Sequence, residues 1–379
     1  NNLLKMRNSA NDGWIDLRTL TGGITSTADA TINSVTVGKG ANSVSGNTVL
    51  GESALDASVS GGNNTAIGKD ALTTNTSGEF NTAIGSAVLD ANTTGSRNAA
   101  GGYGALSNST TGTGNTAFGM QALVANTTAD NNTAVGRDAM VANTTGTGTA
   151  IGAFSLDANT TGTSNTAIGQ SALGANTTAA NNTAVGHQSL KTNTTGTQNV
   201  AVGSLALDAN TTADKNTAIG FAALGSNTTG NSNTALGDNS LVNNTTASSN
   251  TAVGKNALNS NTTANNNTGV GFEALKANTT GIQNTAVGAS ALDANTTGGN
   301  NSAFGKDALS ANTTGDFNTA VGKDALRDNT TAQDNTAVGH NALESNTTGA
   351  NNTAVGSAVL TSNTTGDNNT AVGLNCGAT

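Results

Sequence analysis

A glycine recurs along this chain at intervals of 17 residues, with one exception. The pattern N-T-A-[VI]-G-x-x-A-L-x-x-N-T-T-G-x-x recurs from Thr48 onward, and the glycine of its N-T-A-x-G part runs from Gly51 to Gly373 in eighteen intervals of 17 residues and one of 16. A fixed period of this size is typical of solenoids, in which each repeat is one turn stacked on its neighbours. We call each repeat a coil and this residue the coil glycine. The 379 residues therefore predict about twenty stacked coils and not several globular domains.

Composition agrees with continuous backbone pairing. The chain has no proline, and charged residues make up only 10% of it. Disordered chains usually carry more charge and more proline. A chain whose backbone N–H groups are bonded in nearly every coil has no place for proline, because proline lacks this donor.

Two positions of the coil are apolar throughout and are predicted to form the core. The residue four after the coil glycine is leucine in every complete coil except at Met140, and the residue before the coil glycine is aliphatic or aromatic except at Gly101; examples are Ile67, Ile84, Val135 and Phe304. T-A-V-G reads as a short strand of alternating phase, and the A-L step as a second one. With valine and leucine directed inward, the alanines before them, such as Ala134 and Ala139, would point outward.

Outward alanines predict a packed surface. A solvated face would vary among Lys, Glu, Ser and Thr, whereas these positions stay small and apolar. Each coil also has few large apolar side chains of its own. We therefore expect the chains to associate through the alanine faces as a homotrimer, with the polar turns outside.

The two glycine positions of the coil predict different constraints. The coil glycine does not vary, as expected for a positive φ or an approach too close for a Cβ atom. The second position holds glycine in many coils, for example Gly78, Gly95 and Gly146, but alanine in others, so small size and not a left-handed conformation is expected there. Its alanines are Ala129, Ala179, Ala213, Ala247, Ala264 and Ala332.

The N-T-T turns predict a ladder of asparagines along the axis. Stacked amide side chains bond to one another in such ladders; examples are Asn126, Asn143, Asn159 and Asn176. The same triplets match the N-glycosylation sequon, but a pattern repeated for ladder geometry matches it by coincidence. The one-residue deletion at 146–149 is expected to lie in a turn.

The predicted fold is an all-β parallel β-roll or β-solenoid of about 20 coils. Two apolar positions in 17 residues favour a flattened two-strand roll over a triangular β-helix, and stacking at about 4.8 Å per coil gives a rod of about 95 Å. Residues 1–30 are expected to form a β junction or capping module, with two strands around the turn Asn11-Asp12-Gly13. Residues 31–50 are a shortened transition coil, and residues 51–379 are the solenoid shaft. The sequence stops inside a coil, so we expect more chain to follow it.

Charge and hydropathy exclude several partners. The net charge is −9 and the pI about 4.5, so no basic surface for nucleic acid is expected. No apolar stretch is long enough to cross a bilayer. The single Cys376 cannot form an internal disulfide, and the first residues show no signal-peptide pattern.

The sequence predicts no catalytic, cofactor-binding or metal site, and so no enzyme. Catalysis needs unlike groups that converge in one pocket, whereas each coil supplies the same few side chains. His187 and His340 occupy the same position nine coils apart, about 43 Å, so one chain cannot bring them to one metal. A cluster of three such histidines across a trimer stays an alternative. Two sets of aspartates occupy turn positions without a calcium-binding pattern, and we interpret them as solvated: Asp70, Asp138, Asp307 and Asp324, and Asp90, Asp157, Asp208 and Asp293.

The repeats resemble the head repeats of YadA-like trimeric autotransporter adhesins, whose coils share the A-[IV]-G core. The resemblance runs from Thr48 to the end of the sequence, although the family repeat is usually shorter and lacks the N-T-T-G turn. The 17-residue form, the start L-L-K-M-R-N-S-A-N-D-G-W-I-D-L and the transition V-T-V-G-K-G look like tail fibre or appendage proteins of bacteriophages. The resemblance implies a left-handed roll, a homotrimer, a shaft or receptor-facing role and, in some relatives, a C-terminal chaperone removed after assembly.

Three functions remain as hypotheses. The first is an extracellular virion appendage that holds or presents an attachment element for a host receptor or glycan, and joins other fibre or virion proteins through its N-terminal end. The second is a bacterial cell-surface trimeric adhesin. The third is ice binding, since threonines such as Thr177 and Thr178 recur in ranks, although threonine suits any polar strand or turn.

Overall fold

The computed structural model describes residues 5–7, 14–16, 29–57 and 59–377. Strands β1 (Lys5–Arg7) and β2 (Trp14–Asp16) pair antiparallel, with Lys5 opposite Asp16. The sequence predicts two strands here. The predicted turn between them, Asn11-Asp12-Gly13, lies outside the described residues.

An antiparallel hairpin lies at the N-terminal edge of the solenoid. Strands β3 (Ala30–Ile32) and β4 (Val35–Gly38) pair with each other, and β4 pairs antiparallel with β5 (Thr48–Gly51). The Asp29 carboxylate accepts hydrogen bonds from the backbone N–H groups of Lys39 and Gly40, at 2.7 and 2.5 Å. The segment predicted as a shortened coil thus contains a hairpin that occupies the edge of β5.

From β5 onward, every coil contributes one short strand to a single parallel ladder. The strands are β5, β6 (Thr65–Ile67), β7 (Thr82–Ile84), β8 (Ala99–Gly101), β9 (Thr116–Phe118), β10 (Thr133–Val135), β11 (Gly148–Ile151), β12 (Asn165–Ile168), β13 (Thr183–Val185), β14 (Val200–Val202), β15 (Thr217–Ile219), β16 (Thr234–Leu236), β17 (Thr251–Val253), β18 (Thr268–Val270), β19 (Thr285–Val287), β20 (Ser302–Phe304), β21 (Thr319–Val321), β22 (Thr336–Val338), β23 (Thr353–Val355) and β24 (Thr370–Val372).

The register of the ladder follows the repeat. Ala134 pairs with Ala117 on one side and with Ala150 on the other, and each strand position pairs with the same position of the next coil. The short coil before Gly152 keeps this register, because Gly148 takes the place of an asparagine and pairs with Asn165. The structure confirms the predicted all-β parallel solenoid and the placement of the deletion in a turn.

Backbone hydrogen bonds join the coils around their whole circumference and not only in the strands. In one coil, the N–H groups of Gly136 and Asp138 donate to Phe118 and Met120 of the preceding coil, at 2.7 and 3.0 Å. The Met140 N–H donates to Ser155 of the following coil at 3.0 Å. This bonding explains the absence of proline, since a proline at these positions would remove an inter-coil bond.

The A-L step is not a second strand, contrary to the sequence prediction. The leucine there has a left-handed backbone, as in Leu72 with φ +53°, and so has the residue two before it, as in Asp70 with φ +57°. A third left-handed residue precedes the N-T-A asparagine, as in Phe80 with φ +58°. Left-handed residues bend the chain, so each coil is one three- or four-residue strand closed by turns. A pattern of alternating polarity cannot reveal such bends.

The coil glycine meets both predicted constraints. Gly220 has φ +137°, and a Cβ atom added to it would lie within 2.6 Å of the carbonyl carbon of Gly237 in the next coil. At the second position, Gly230 does not have a positive φ, and Ala213 and Ala247 occupy it in the neighbouring coils. The two predictions for these positions are confirmed.

The predicted N-T-T asparagine ladder is present in the interior. Nearly all of these side chains are fully buried, and in most coils the Nδ2 donates both to the Oδ1 of the preceding coil and to the backbone of its own turn. Asn176 donates to Asn159 at 2.9 Å and to the Ala179 carbonyl at 3.1 Å. The buried amides are therefore paired, as burial of polar groups requires.

A second asparagine ladder, which the sequence analysis did not predict, runs through the N-T-A position. The Asn199 side chain accepts from the Asn216 N–H at 2.9 Å, and its Nδ2 donates to the Ala213 carbonyl at 2.8 Å. These asparagines are also buried. The signal was the invariance of this asparagine, which is as marked as that of the N-T-T asparagine.

One coil interrupts the first ladder. Ser109 stands where other coils have asparagine, and its hydroxyl reaches no partner. The Oδ1 of Asn92 below it is buried and also unpaired. The Asn126 amide above it bonds to Ala129 of its own turn, at 3.1 Å. Ser109 is thus a local defect in the interior bonding.

The coil glycine should tolerate alanine much less than the second glycine does. We expect Gly220→Ala to lower the free energy of unfolding by at least about 2 kcal/mol, because of the left-handed φ. Gly230→Ala, the matched control, should cost less, because Gly230 does not have a positive φ and alanine occupies this position in the neighbouring coils, although an added Cβ atom would lie 2.1 Å from the Ala247 carbonyl oxygen unless the turn shifts. Urea unfolding followed by circular dichroism measures both. Equal losses would contradict this explanation of the invariant glycine.

Completing the ladder should stabilise the rod. Ser109→Asn supplies a donor to Asn92 and an acceptor to Asn126, and we expect it to raise the free energy of unfolding by about 1 kcal/mol. The reverse change in an intact part of the ladder, Asn210→Ser, should cost about 1–3 kcal/mol. Urea unfolding compares the two. A loss of stability in Ser109→Asn would show that this coil has adapted to serine.

Candidate functional site

The strand of each coil faces the opposite way to the sequence prediction. Ala134 and Ala139, predicted to point outward, are completely buried, whereas Val135, predicted to lie in the core, is 36% exposed. The same holds for Ile84, which is 45% exposed, and for Phe304. The predicted second core position is therefore a surface position, and the predicted alanine interface is the interior of the solenoid.

The width of the coil explains this reversal. Each coil encloses one leucine, two alanines and two asparagines, nearly all completely buried. Where Gly269 replaces the strand alanine, an added Cβ atom would lie 3.2 Å from the Ala274 carbonyl oxygen and 3.4 Å from Leu258 Cγ, a close contact on both sides. A methyl group thus fills the space between strand and leucine. Valine occupies this position only at Val49, in the first strand of the parallel ladder, and every other coil has alanine or glycine there.

The residues before the coil glycines form a continuous apolar ridge on the outer surface of the sheet. We call this ridge the aliphatic stripe. None of its members is polar or charged; they are Leu50, Ile67, Ile84, Gly101, Phe118, Val135, Ile151, Ile168, Val185, Val202, Ile219, Leu236, Val253, Val270, Val287, Phe304, Val321, Val338, Val355 and Val372. Parallel pairing stacks these residues directly on one another along the rod.

Uncharged threonines lie beside the stripe on the same strands. The position two before each stripe residue is threonine except at Ala99, Val200 and Ser302 in the coils from Thr48 to Thr370, and is partly exposed in most of them. Neither the aliphatic stripe nor the threonine ladder beside it therefore carries a charge. Charges begin on the other side of the stripe, where Lys255 pairs with Asp238 at 3.5 Å and Lys323 with Asp324 at 3.0 Å.

The predicted histidines lie beside the stripe and not in a site of their own. His187 and His340 follow their coil glycines and are exposed. In the part of the chain that the structure describes, no group of three or more His, Cys, Asp or Glu side chains is placed to hold a metal ion. Over the same residues, no helix has the length and apolarity needed to span a bilayer.

The two sets of aspartates differ in environment. Those after a basic residue have a left-handed backbone, and three of the four pair with that residue, as Asp307 does with Lys306 at 2.9 Å, whereas Lys69 before Asp70 pairs with Glu52. In the other set, burial raises the pKa of the carboxyls of Asp90, Asp157, Asp208 and Asp293 above the ordinary value. These four are half-buried, so the prediction of simply solvated acids holds only in part.

The N-T-T turns offer little reactive or ordered outer surface. Their asparagines are buried and bonded, so in the folded rod these sequons are inaccessible to a glycosyltransferase. The hydroxyl of the first threonine bonds to the next coil; Thr194 Oγ1, for example, donates to the Thr211 carbonyl at 3.0 Å. Only the second threonine, such as Thr195, is fully on the surface.

No family model, curated protein or solved structure matches this chain. The aliphatic stripe is therefore the feature on which a functional interpretation can rest. It runs along the whole parallel ladder, whereas contiguous exposed apolar patches on monomers rarely exceed about 300–600 Å².

The half-buried aspartates should make the rod more stable on mild acidification. A carboxyl whose pKa is raised by folding binds its proton more readily in the folded state, so stability falls as pH rises from the unfolded pKa through the folded one. We expect the melting temperature to rise as pH falls from 7 through this window. The triple variant Asp157→Asn, Asp208→Asn, Asp293→Asn should show a smaller rise.

A charge-matched variant serves as the control for this pH dependence. Its three acids are exposed, and the replacements are Asp56→Asn, Glu79→Gln and Asp334→Asn. It changes the net charge equally without removing half-buried carboxyls. If both variants shift the pH profile alike, net charge and not burial causes the dependence.

Proposed function

We propose that this chain is the shaft of a homotrimeric extracellular fibre, which holds or presents a host-attachment element at a distance. The observation that carries the proposal is the aliphatic stripe on a solenoid whose interior is already complete. The rod does not need the stripe for its own core. An apolar ridge along the whole rod is suited to association with further copies.

The size and charge of the stripe support self-association. Its twenty layers expose on the order of 1,000 Å² of largely apolar surface per chain, and a stable interface buries about 800 Å² per partner. The neighbouring threonine ladder is uncharged, so association through this surface leaves no unpaired charge buried. The proposed contact surface is the stripe and replaces the alanine face that the sequence suggested.

A trimer suits the shape of this surface. The stripe is one side chain wide, and three narrow ridges can converge on a common axis so that each contacts two others. In that arrangement the charged residues beside the stripe, such as Lys255 and Asp238, and the N-T-T turns stay on the outer surface. Parallel copies would place identical coils at the same height along the axis, which gives a fibre of uniform cross-section.

The repetitive surface favours a structural role over catalysis. Each coil repeats the same side chains, and the outer groups that vary are scattered singly. We propose a virion appendage of the tail-fibre type, with fibre or virion proteins at the N-terminal end and a host receptor or glycan as the final target. A bacterial cell-surface trimeric adhesin is the second proposal, since the stripe would serve the same assembly there. Ice binding has less support, because the first hydroxyl of each N-T-T rank bonds within the rod.

Charges on the stripe should prevent assembly without unfolding the rod. We expect the parent chain to have three times the monomer mass by multi-angle light scattering and to form rods of about 95 Å in electron micrographs. A triple variant with lysines in the stripe, Val185→Lys, Val202→Lys and Val253→Lys, should be monomeric with an unchanged circular dichroism spectrum, because association would bury unpaired charges.

The matched control places the same three charges on the turn surface, as Thr178→Lys, Thr195→Lys and Thr246→Lys. These threonines are exposed and lie away from the strand surface. This control should remain trimeric. A parent chain that is monomeric at micromolar concentration, or a control that dissociates as fully as the stripe variant, would overturn the proposed assembly.

A further inference from the structure

An interface made of identical coils has a problem of register. Chains that associate through the stripe, as proposed above, could slip by one coil, or about 4.8 Å, and still place aliphatic residues against aliphatic residues. Such a slip loses the contacts of only one layer in twenty. Without a distinguishing feature, the assembled fibre would contain a mixture of registers.

The stripe has one paired irregularity. Gly101 is its only member without a side chain, and Phe118 is its register partner in the next coil. The Phe118 ring lies over Gly101, because a Cβ atom added to Gly101 would be 2.7 Å from Phe118 Cδ1. The missing volume of one layer is thus filled by the extra volume of the next, and Gly101 is buried beneath the ring.

Large side chains also lie beside the stripe in the same two coils. The residues after the two coil glycines are Tyr103 and Met120, which are 61% and 44% exposed. In the coils from Gly51 to Gly373, no other two consecutive coils carry large apolar side chains at this position. Gly101, Tyr103, Phe118 and Met120 therefore form an apolar cluster that marks one height on the rod.

We propose that this cluster sets the axial register between copies of the chain. In a parallel assembly without slip, the Phe118 rings of all copies lie at the level where every copy has Gly101, so surplus and missing volume coincide. After a slip by one coil, the Phe118 rings of two chains would lie at different heights, and in one direction a ring would face Ile84 of the other chain. The level of Gly101 would then lose part of the volume that fills it, so the slipped registers are disfavoured.

Disulfide cross-linking of a distant stripe position tests this proposal. In a Cys376→Ser background, which removes the only native cysteine, Val253→Cys places one thiol per chain on the stripe. Without slip, the thiols of associated chains meet at one height and cross-link. A disulfide usually joins Cα atoms about 5.5 Å apart, and a slip of about 4.8 Å along the axis lengthens this distance to about 7.3 Å, beyond the limit of about 7 Å for bridging, so slipped chains would cross-link poorly.

The decisive comparison removes the irregularity but keeps the stripe apolar. The double change Gly101→Val with Phe118→Val gives these coils ordinary stripe residues, whereas Phe304→Val, the control, removes an aromatic ring that has no glycine beside it. We expect the yield of cross-linked product to fall at least twofold in the double variant, at unchanged trimeric mass. The control should cross-link as well as the parent. Co-expression with a Val270→Cys chain should yield heterotypic cross-links only in the double variant.

Each other outcome counts against a specific part of the argument. Equal yields in the parent and the double variant would overturn the register role and leave the assembly intact. An equal fall in the Phe304→Val control would show that the cluster is not special. A trimeric parent without cross-links would exclude a parallel arrangement in register. A monomeric parent would overturn the proposed function itself, which light scattering distinguishes from loss of register alone.

Discussion

The structure depends on one constraint: each coil satisfies its polar groups through the coils above and below it. Backbone bonds run between coils in the strand and in the turns, and two asparagine side chains per coil carry the same bonding through the interior. A single coil could not keep these amides buried, because unpaired buried polar groups are costly. The repeat is therefore strict at positions that bond to neighbours, and variable at those that only face solvent.

A narrow interior then decides what the surface looks like. Leucine and two small residues fill most coils, with valine in an alanine position only at Val49, Val88 and Val359, and the branched side chain before the coil glycine lies outside. The rod thus gains a long apolar ridge as a consequence of its own packing. This connects the fold to the proposed function, since the same thin coil that makes a long, regular rod also provides the surface by which such rods would associate.

In so regular a molecule, position along the axis is specified only by departures from the repeat. Ser109 interrupts one asparagine ladder and Gly148 the other, while Gly101 with Phe118 alters the stripe. The first two are internal and locally weaken the bonding between coils. The third lies on the outer surface, where it can distinguish one height from another to a second chain. Because of this difference in location, the interior defects are expected to affect stability, and the stripe irregularity would affect assembly in the proposed fibre.

The sequence by itself determined the period, the parallel stacking, the buried leucine, the role of the coil glycine and the N-T-T ladder. Each of these follows from comparing the residues that occupy the same position in the different coils. Only the tertiary structure decided which way the strand faces, because both Ala134 and Val135 are apolar and a period of two allows either phase. The left-handed backbone of the leucine, which no polarity pattern encodes, closes the coil so tightly that alanine must be inside. The candidate site was therefore visible in the sequence as a position without polar residues, but it was assigned to the wrong side of the sheet.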